Sequence, residues 1–405
     1  SLAKLVLKMT TRAGSGHPST SLSLVHIITT LMYNVMRYDL QNPWNIANDR
    51  LVLSEGHAVP IVYAAYADLQ GVYGNSPSNR HVLSIEDLDT LRQINSPLDG
   101  HPNPSSGFPF FDCATGSLGQ GLSCAAGLAL AAKKQNIPKR IFCIIGDGES
   151  REGQIWEACD FIIDYNLYSV IPIFNCNGMG QTGPVSNQQS IKKLTEKLNA
   201  FGFATHNIDG HNPDEIQKCL KIACKATHPH AIIAKTIKGW GVPTLQHETQ
   251  HGKPLKENML QECIQQLESS QPAISVTHDH RIHPPRPEKI STEPVKTLRL
   301  QNPDFPALLK DSSYLEVYNR GLMSTRRAYG LALKDLAAID NRIIALDADV
   351  SNSTFSQYMA QAFPERFIEC GIAEQNMISL ACGLSAGGFI PFVSSFAKFL
   401  VRGYD

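Results

Sequence analysis

The chain has 405 residues, 42% of them hydrophobic and 18% charged, and its 36 Lys and Arg nearly balance 37 Asp and Glu. That length suits two or three domains with sizeable cores, and the charge balance excludes a global field that draws the protein to nucleic acid or an anionic membrane, so an anionic ligand must be met by a local site. No run approaches the ~20 apolar residues of a membrane span, no signal peptide opens the chain, and the ten cysteines form no C-x-x-C pair, which indicates buried thiols in a reducing cytoplasm.

The opening "SLAKLVLKMTTRAG" is already helical in pattern, and the closing "PFVSSFAKFLVRGYD" stops just after an apolar segment. Both ends read as cuts in a longer polypeptide. Residues 20–37 carry apolar side chains at helical spacing, and 119–134, "GQGLSCAAGLALAAKK", predict a small-residue helix suited to close packing. "RIFCII" at 140–145 is a short, Ile-rich run that suits a strand buried on both faces. An amphipathic helix follows in "GQIWEACDFIIDYNL", then strands in "SVIPIFN" and "HAIIAKTI". This alternation implies a parallel sheet with helices on both faces, whose ligands bind at the carboxyl ends of the strands.

An α/β domain is therefore expected over 1–269. From 270 the chain turns Pro-rich, polar and aperiodic, which predicts a linker over 270–312. His278, His280 and His283 cluster there, but flanking prolines and the absence of Cys argue against a metal site. "STRRAYGLALKDLA" then restarts a helix, "RIIALDADV" a strand, and "RFIECGIAEQNMISLACGLSAGG" runs strand, turn, helix. A second α/β domain thus begins at 313 and is incomplete at 405.

The chemistry centres on "IIGDGESREG", where Asp147 sits between two glycines at a strand end, and on "FNCNGMGQTG", where Asn177 follows thirty positions later. A hard divalent cation wants about six oxygens. Asp147 can give a carboxylate oxygen, Asn177 an amide oxygen and Met179 its backbone carbonyl, leaving positions for two phosphate oxygens and a water. Gly146, Gly148, Gly178 and Gly180 let backbone approach closely. Four histidines stand in Gly/Pro turns: His17 in "GSGHP", His57 in "SEGHA", His101 in "DGHP" and His251 in "QHGKP". Imidazole suits donation to phosphate or sugar hydroxyls and proton transfer near neutral pH. A nucleotide phosphotransferase is improbable, since no G-x-x-x-x-G-K-[ST] loop is present.

"GDGESREGQIWEA" followed by "NCNGMGQTG" resembles the thiamine diphosphate motif of the transketolase family. "RAGSGHPSTSLS", "NDRLVLSEGHAVPIVYA", "ATGSLGQGLS", "AKTIKGWGV", "ECGIAEQNMISLACGL" and "PFVSSFAKF" resemble further blocks of that family in order. The resemblance implies a parallel-sheet thiamine diphosphate-binding fold: two successive α/β domains, the second, pyrimidine-binding one incomplete, and a C-terminal domain absent. It implies thiamine diphosphate with Mg²⁺ or Ca²⁺, and reversible transfer of a two-carbon ketol unit from a ketose phosphate to an aldose phosphate through a cofactor ylide, in the pentose phosphate pathway.

By the same resemblance His57 and His251 contact the diphosphate. His17 and His101 face the substrate's reacting oxygens, and Gly116 and Leu118 belong to the loop under the thiazolium. Glu374 hydrogen-bonds the pyrimidine and activates the cofactor, and Phe396 and Phe399 form an aromatic wall on that ring. Arg326 and Ser353, with His251, donate to the sugar phosphate. Glu152 meets the activating glutamate of a second subunit in a homodimer whose active sites straddle the interface. Glu55 is given no role. A dihydroxyacetone synthase, a 1-deoxyxylulose-5-phosphate synthase and a non-catalytic homologue are the alternatives.

Overall fold

The computed structural model describes residues 1–270, 283–290, 309 and 314–404. The chain divides into two units, Ser1–Lys289 and Ile290–Asp405. In the first, the strands are β1 (Arg50–Leu53), β2 (Val72–Ser76), β3 (Asn79–Val82), β4 (Ile141–Gly146), β5 (Val170–Cys176), β6 (Ala204–Asp209) and β7 (His230–Lys235). Five of them form one sheet in the order β1-β4-β5-β7-β6, every neighbouring pair parallel, while β2 and β3 make a separate antiparallel hairpin. Apolar residues fill β4 and β5 because both faces are covered. Ile144, Ile173 and Phe174 are fully buried, each side chain contributing about 1.5–3 kcal/mol by leaving water.

The helices follow the sequence pattern in most places. They are α1 (Leu2–Ala13), α2 (Pro18–Ser23), α3 (Val25–Thr30), α4 (Val59–Asp68), α5 (Gly121–Lys134), α6 (Gly153–Asp164), α7 (Ile191–Phe201), α8 (Pro213–Ala223) and α9 (Glu257–Ser269). The continuous helix expected over 20–37 is instead α2, α3 and a π-turn at Leu31–Val35. Leu24, with ψ near 0°, interrupts it, and Met36 leaves it in extended conformation. Periodicity records which face is buried and is blind to such breaks, because all three pieces bury their side chains.

Part of the Pro-rich stretch read as linker belongs to the first unit. Tyr38 N donates to Pro285 O at 2.9 Å, and Arg37 pairs with Glu288 at 3.2 Å. His278 and His280 lie outside the described residues.

The second unit has its own three-stranded parallel sheet, ordered β10-β8-β9, from β8 (Ile343–Asp347), β9 (Phe367–Glu369) and β10 (Ile390–Ser394). Leu333, Ala337, Ile343, Ala345 and Met359 form its core.

Candidate active site

The carboxyl ends of β1, β4, β5 and β7 open into one cavity of about 370 Å³. His17, His57, His101, Gly116, Leu118, Gly146, Asp147, Gly148, Asn177, Met179 and His251, all expected from the sequence, line it, together with Thr20, Glu55, Glu149 and Lys238, which sequence reasoning left without a role. Leu118 is 41% exposed on its rim. Glu152 is exposed at the start of α6 and does not line the cavity, although its Cβ packs against Gly119 in the loop beneath it.

Asp147 follows β4 directly. Its Oδ1 accepts from Gly148 N at 2.7 Å and its Oδ2 from Gly178 N at 2.6 Å, so the carboxylate ties the two strand-end loops together. Gly178 has φ near +76°, a left-handed conformation in which a side chain would strain. Asn177 Oδ1 accepts from Met179 N at 3.0 Å. Burial raises the Asp147 carboxyl to about 6, against the opposing pull of those N–H groups and of Lys238. A nearby cation reverses that burial effect.

Glu149 closes the floor. Gly146 N donates to one of its oxygens at 2.9 Å; Gly119 N, at 2.8 Å, and Ser54 Oγ donate to the other. It thereby joins the ends of β1 and β4 to the loop at 116–121. Burial lifts it to about 7 despite those three donors. Glu55 lies beside it, its Oε1 accepting from Asn175 Nδ2 at 2.8 Å. Burial holds its carboxyl well above the usual range, with Glu149 and Asp147 adding to the effect. Glu55 also approaches His57 at 4.0 Å. Asn175 also donates to Ser23 Oγ and accepts from Thr236 Oγ1.

Three imidazoles cluster opposite. The ring centroids of His17 and His57 lie 4.8 Å apart, those of His17 and His251 5.1 Å, and those of His57 and His251 5.2 Å. Burial, then the positive charge of their neighbours, lowers His17 and His251 to about 4 and His57 well below 6.5. They are neutral donors and acceptors at pH 7. Lys238 Nζ, itself buried, donates to Gly180 O at 2.9 Å and to His251 Nδ1 at 2.8 Å, which leaves the His251 proton on Nε2. Gly116 is required beneath them, since a Cβ there would stand 2.8 Å from His101.

The donor set fits a metal-bound diphosphate. Two hard oxygens, Asp147 Oδ and Asn177 Oδ1, sit on adjacent strand ends, a buried ammonium faces them, and the buried Thr20 Oγ1 has no hydrogen-bond partner among the described residues. No cluster of three or more His, Cys, Asp or Glu could hold a metal among the described residues, so a cation here needs oxygens from the ligand it accompanies.

Residues 2–282 match the family described as "Transketolase, thiamine diphosphate binding domain", and residues 322–405 that described as "Transketolase, pyrimidine binding domain". The chain belongs to the transketolase family. It is 41% identical to a transketolase of Mus musculus over 406 residues, covering 98% of this chain and 60% of that protein. It is 38% identical to Transketolase-like protein 2 of Mus musculus over 404 residues, with the same coverage. A crystal structure of a transketolase from Campylobacter jejuni superposes with a TM-score of 0.77 at 28% identity, covering 99% of this chain and 65% of that one. The chain spans about 60% of the length of these curated relatives.

In the second unit of this transketolase-family chain, Glu374 is buried at the first turn of the helix Glu374–Ala386 and accepts from Arg402 Nη1 at 3.4 Å. Phe396 and Phe399 lie nearby in sequence to Arg402, their centroids 5.3 Å apart and the Arg402 guanidinium 6.0 Å from the Phe399 ring. Arg326 Nη1 donates to Ser353 O at 3.3 Å, so these two expected phosphate donors do lie together. Their loop is held by a residue the sequence reading missed. Buried Asp347, at the end of β8, accepts from Val350 N (2.8 Å), Thr354 Oγ1 (2.7 Å) and Ser356 Oγ (2.8 Å). The motif "LDADV" carried the signal, an acid ending an apolar run as in "IIGDG".

Proposed function

We propose that this chain is the cofactor-binding part of a transketolase, transferring a two-carbon ketol unit reversibly from a ketose phosphate to an aldose phosphate with thiamine diphosphate and Mg²⁺ or Ca²⁺. The observation that carries the reading is the convergence of Asp147, Asn177, Lys238 and three neutral histidines in one cavity at the ends of adjacent parallel strands. Bound thiamine diphosphate supplies an electron sink for the carbanion left when the donor's carbon–carbon bond breaks. Asp147, Asn177 and the Met179 carbonyl would hold the cation, Lys238 would offset phosphate charge, and His57 and His251 Nε2–H would donate to the diphosphate. His17 and His101, both lowered by burial, can each accept a proton from a substrate hydroxyl and return it, since an imidazole so lowered gives the proton up readily once the neighbouring oxygen is no longer negatively charged. Buried Glu374, moving a proton at its carboxyl, is the activating acid–base group of the pyrimidine half.

The partners in this reading are a second copy of the chain, with each active site built across the dimer interface, and sugar phosphates. The compartment is the reducing cytoplasm, in keeping with ten free cysteines. The full-length protein should convert a ketose phosphate and an aldose phosphate into the exchanged pair. Turnover with formaldehyde alone as acceptor would favour a dihydroxyacetone synthase, consumption of pyruvate a deoxyxylulose phosphate synthase, and cofactor binding without turnover a non-catalytic homologue. Shared sites are tested by complementation. Asp147→Ala and Glu374→Ala chains, each inactive, are mixed, denatured and refolded. Random pairing across an interface restores about a quarter of wild-type activity; sites built within one chain restore none.

A further inference from the structure

A second cavity lies in the first unit at the opposite ends of the same strands. It is bounded by residues that precede β4 and β5, Lys139, Arg140 and Tyr168 among them, and by the end of α8. Its volume is about 770 Å³, within the usual range of small-molecule sites. Among the described residues six cations line it, Arg37, Lys133, Lys139, Arg140, Lys221 and Lys225, and no carboxylate does.

The charge is only partly answered from behind. Buried Asp49 accepts from Arg37 at 3.0 Å and pairs with Arg140 at 3.3 Å, and Glu288 pairs with Arg37. Lys133 donates to Tyr165 O at 2.8 Å. Lys221 and Lys225 are exposed, and their side chains have neither a hydrogen bond nor an ion pair among the described residues. The carboxyl ends of α5 and α8 contribute about half a negative charge each, which offsets roughly one of the remaining cations. Lys139 is nine-tenths buried, and burial followed by the charge of Arg50 lowers it to about 8. In a chain of net charge −1, this is a concave concentration of positive charge whose self-repulsion an anion would relieve. Its wall also has an apolar side, Ile137 and Leu167, with the Tyr168 ring 43% exposed as a flat face.

We propose that this cavity binds a phosphorylated organic anion with a flat body, of the nucleoside di- or triphosphate class, its phosphates drawn to Lys221 and Lys225 and its base laid on Tyr168. Lysine suits the phosphates as a point charge, and an aromatic ring stacks on any base. The site is separate from the cavity of Asp147, and the proposal does not depend on the reaction assigned to that cavity.

The test is an equilibrium titration of the full-length protein with a fluorescent N-methylanthraniloyl derivative of ADP, at low ionic strength and with saturating thiamine diphosphate and Mg²⁺ present to occupy the other cavity. Saturable binding, displaced by ADP and weakened by salt, is expected. Lys221→Glu/Lys225→Glu, a change confined to exposed side chains, should weaken it about tenfold or more. Tyr168→Ala should weaken the nucleotide several-fold and spare inorganic pyrophosphate. Absence of saturable binding, or an affinity untouched by the double charge reversal, overturns the proposal. A nucleotide affinity unchanged in Tyr168→Ala removes the aromatic platform and with it the nucleotide class.

Discussion

The two units present their functional residues in different states of completion. In the first, every acid of the site is buried, and Asp147 and Glu149 are multiply bonded. Asp147 takes two backbone N–H groups, and Glu149 takes two more and a hydroxyl. In the second, Asp347 is equally well held, but the residues assigned to the cofactor are not. Phe396 is 41% exposed, and the one ion-pair partner of buried Glu374 among the described residues is Arg402, whose side chain is 60% exposed. The first half of the site is preorganised by its own chain. The second offers a buried acid, one exposed ring and one half-buried ring.

The largest effect should come from the preorganised half. Asp147→Ala removes a hard ligand, a compensating charge and the tie between two loops together, so cofactor-dependent turnover should vanish, read as activity at saturating thiamine diphosphate. Asn177→Ala should weaken cofactor binding less, because water can replace a neutral amide oxygen. In the open half, Glu374→Gln should slow exchange of the cofactor C2 proton by about 10²–10⁴-fold, followed by NMR in D₂O, with the melting temperature nearly unchanged. Exchange at the wild-type rate would remove Glu374 from its role.

Stability separates the halves further. Glu149→Ala leaves Gly119 N, Gly146 N and Ser54 Oγ without their acceptor, a loss of about 1–3 kcal/mol in denaturant unfolding. Phe396→Ala should change stability by less than about 0.5 kcal/mol in the isolated chain, yet weaken the cofactor. Acid is the smallest lever. His17 and His251 titrate near 4 when folded and near 6.5 when unfolded, so at pH 5 the unfolded chain binds more protons and stability falls as pH drops from 6.5 towards 4. Raised Asp147 and Glu149 act in the opposite sense over the same range, leaving a net change of about 1 kcal/mol after solvent screening. His17→Gln/His251→Gln should flatten the histidine part, seen as a smaller fall in melting temperature on acidification.

What the sequence disclosed follows from where each signal lies. Asp147 and Asn177 were legible because each ends an apolar strand in a glycine-rich loop. Glu55, Glu149, Lys238 and Thr20 were not, because their meaning rests on partners far along the chain: Ser54 meets Glu149 across 95 positions and Asn175 meets Glu55 across 120. The buried strands β4, β5 and β7 announced themselves as Ile-rich runs. β1 has only four residues, and β6, "ATHNID", is an edge strand without the apolar run of its neighbours. The break at Leu24 carried no Gly or Pro to mark it.

The central claim, that Asp147 and Asn177 hold a cation together with a diphosphate, is tested most directly by titrating thiamine diphosphate calorimetrically into the full-length protein with Mg²⁺ and again after chelation by EDTA. Saturable binding with the metal, weakened by about a hundredfold or more without it and lost in Asp147→Ala, is the result predicted. Equal affinity with and without the metal, or an affinity unchanged in Asp147→Ala, would contradict it.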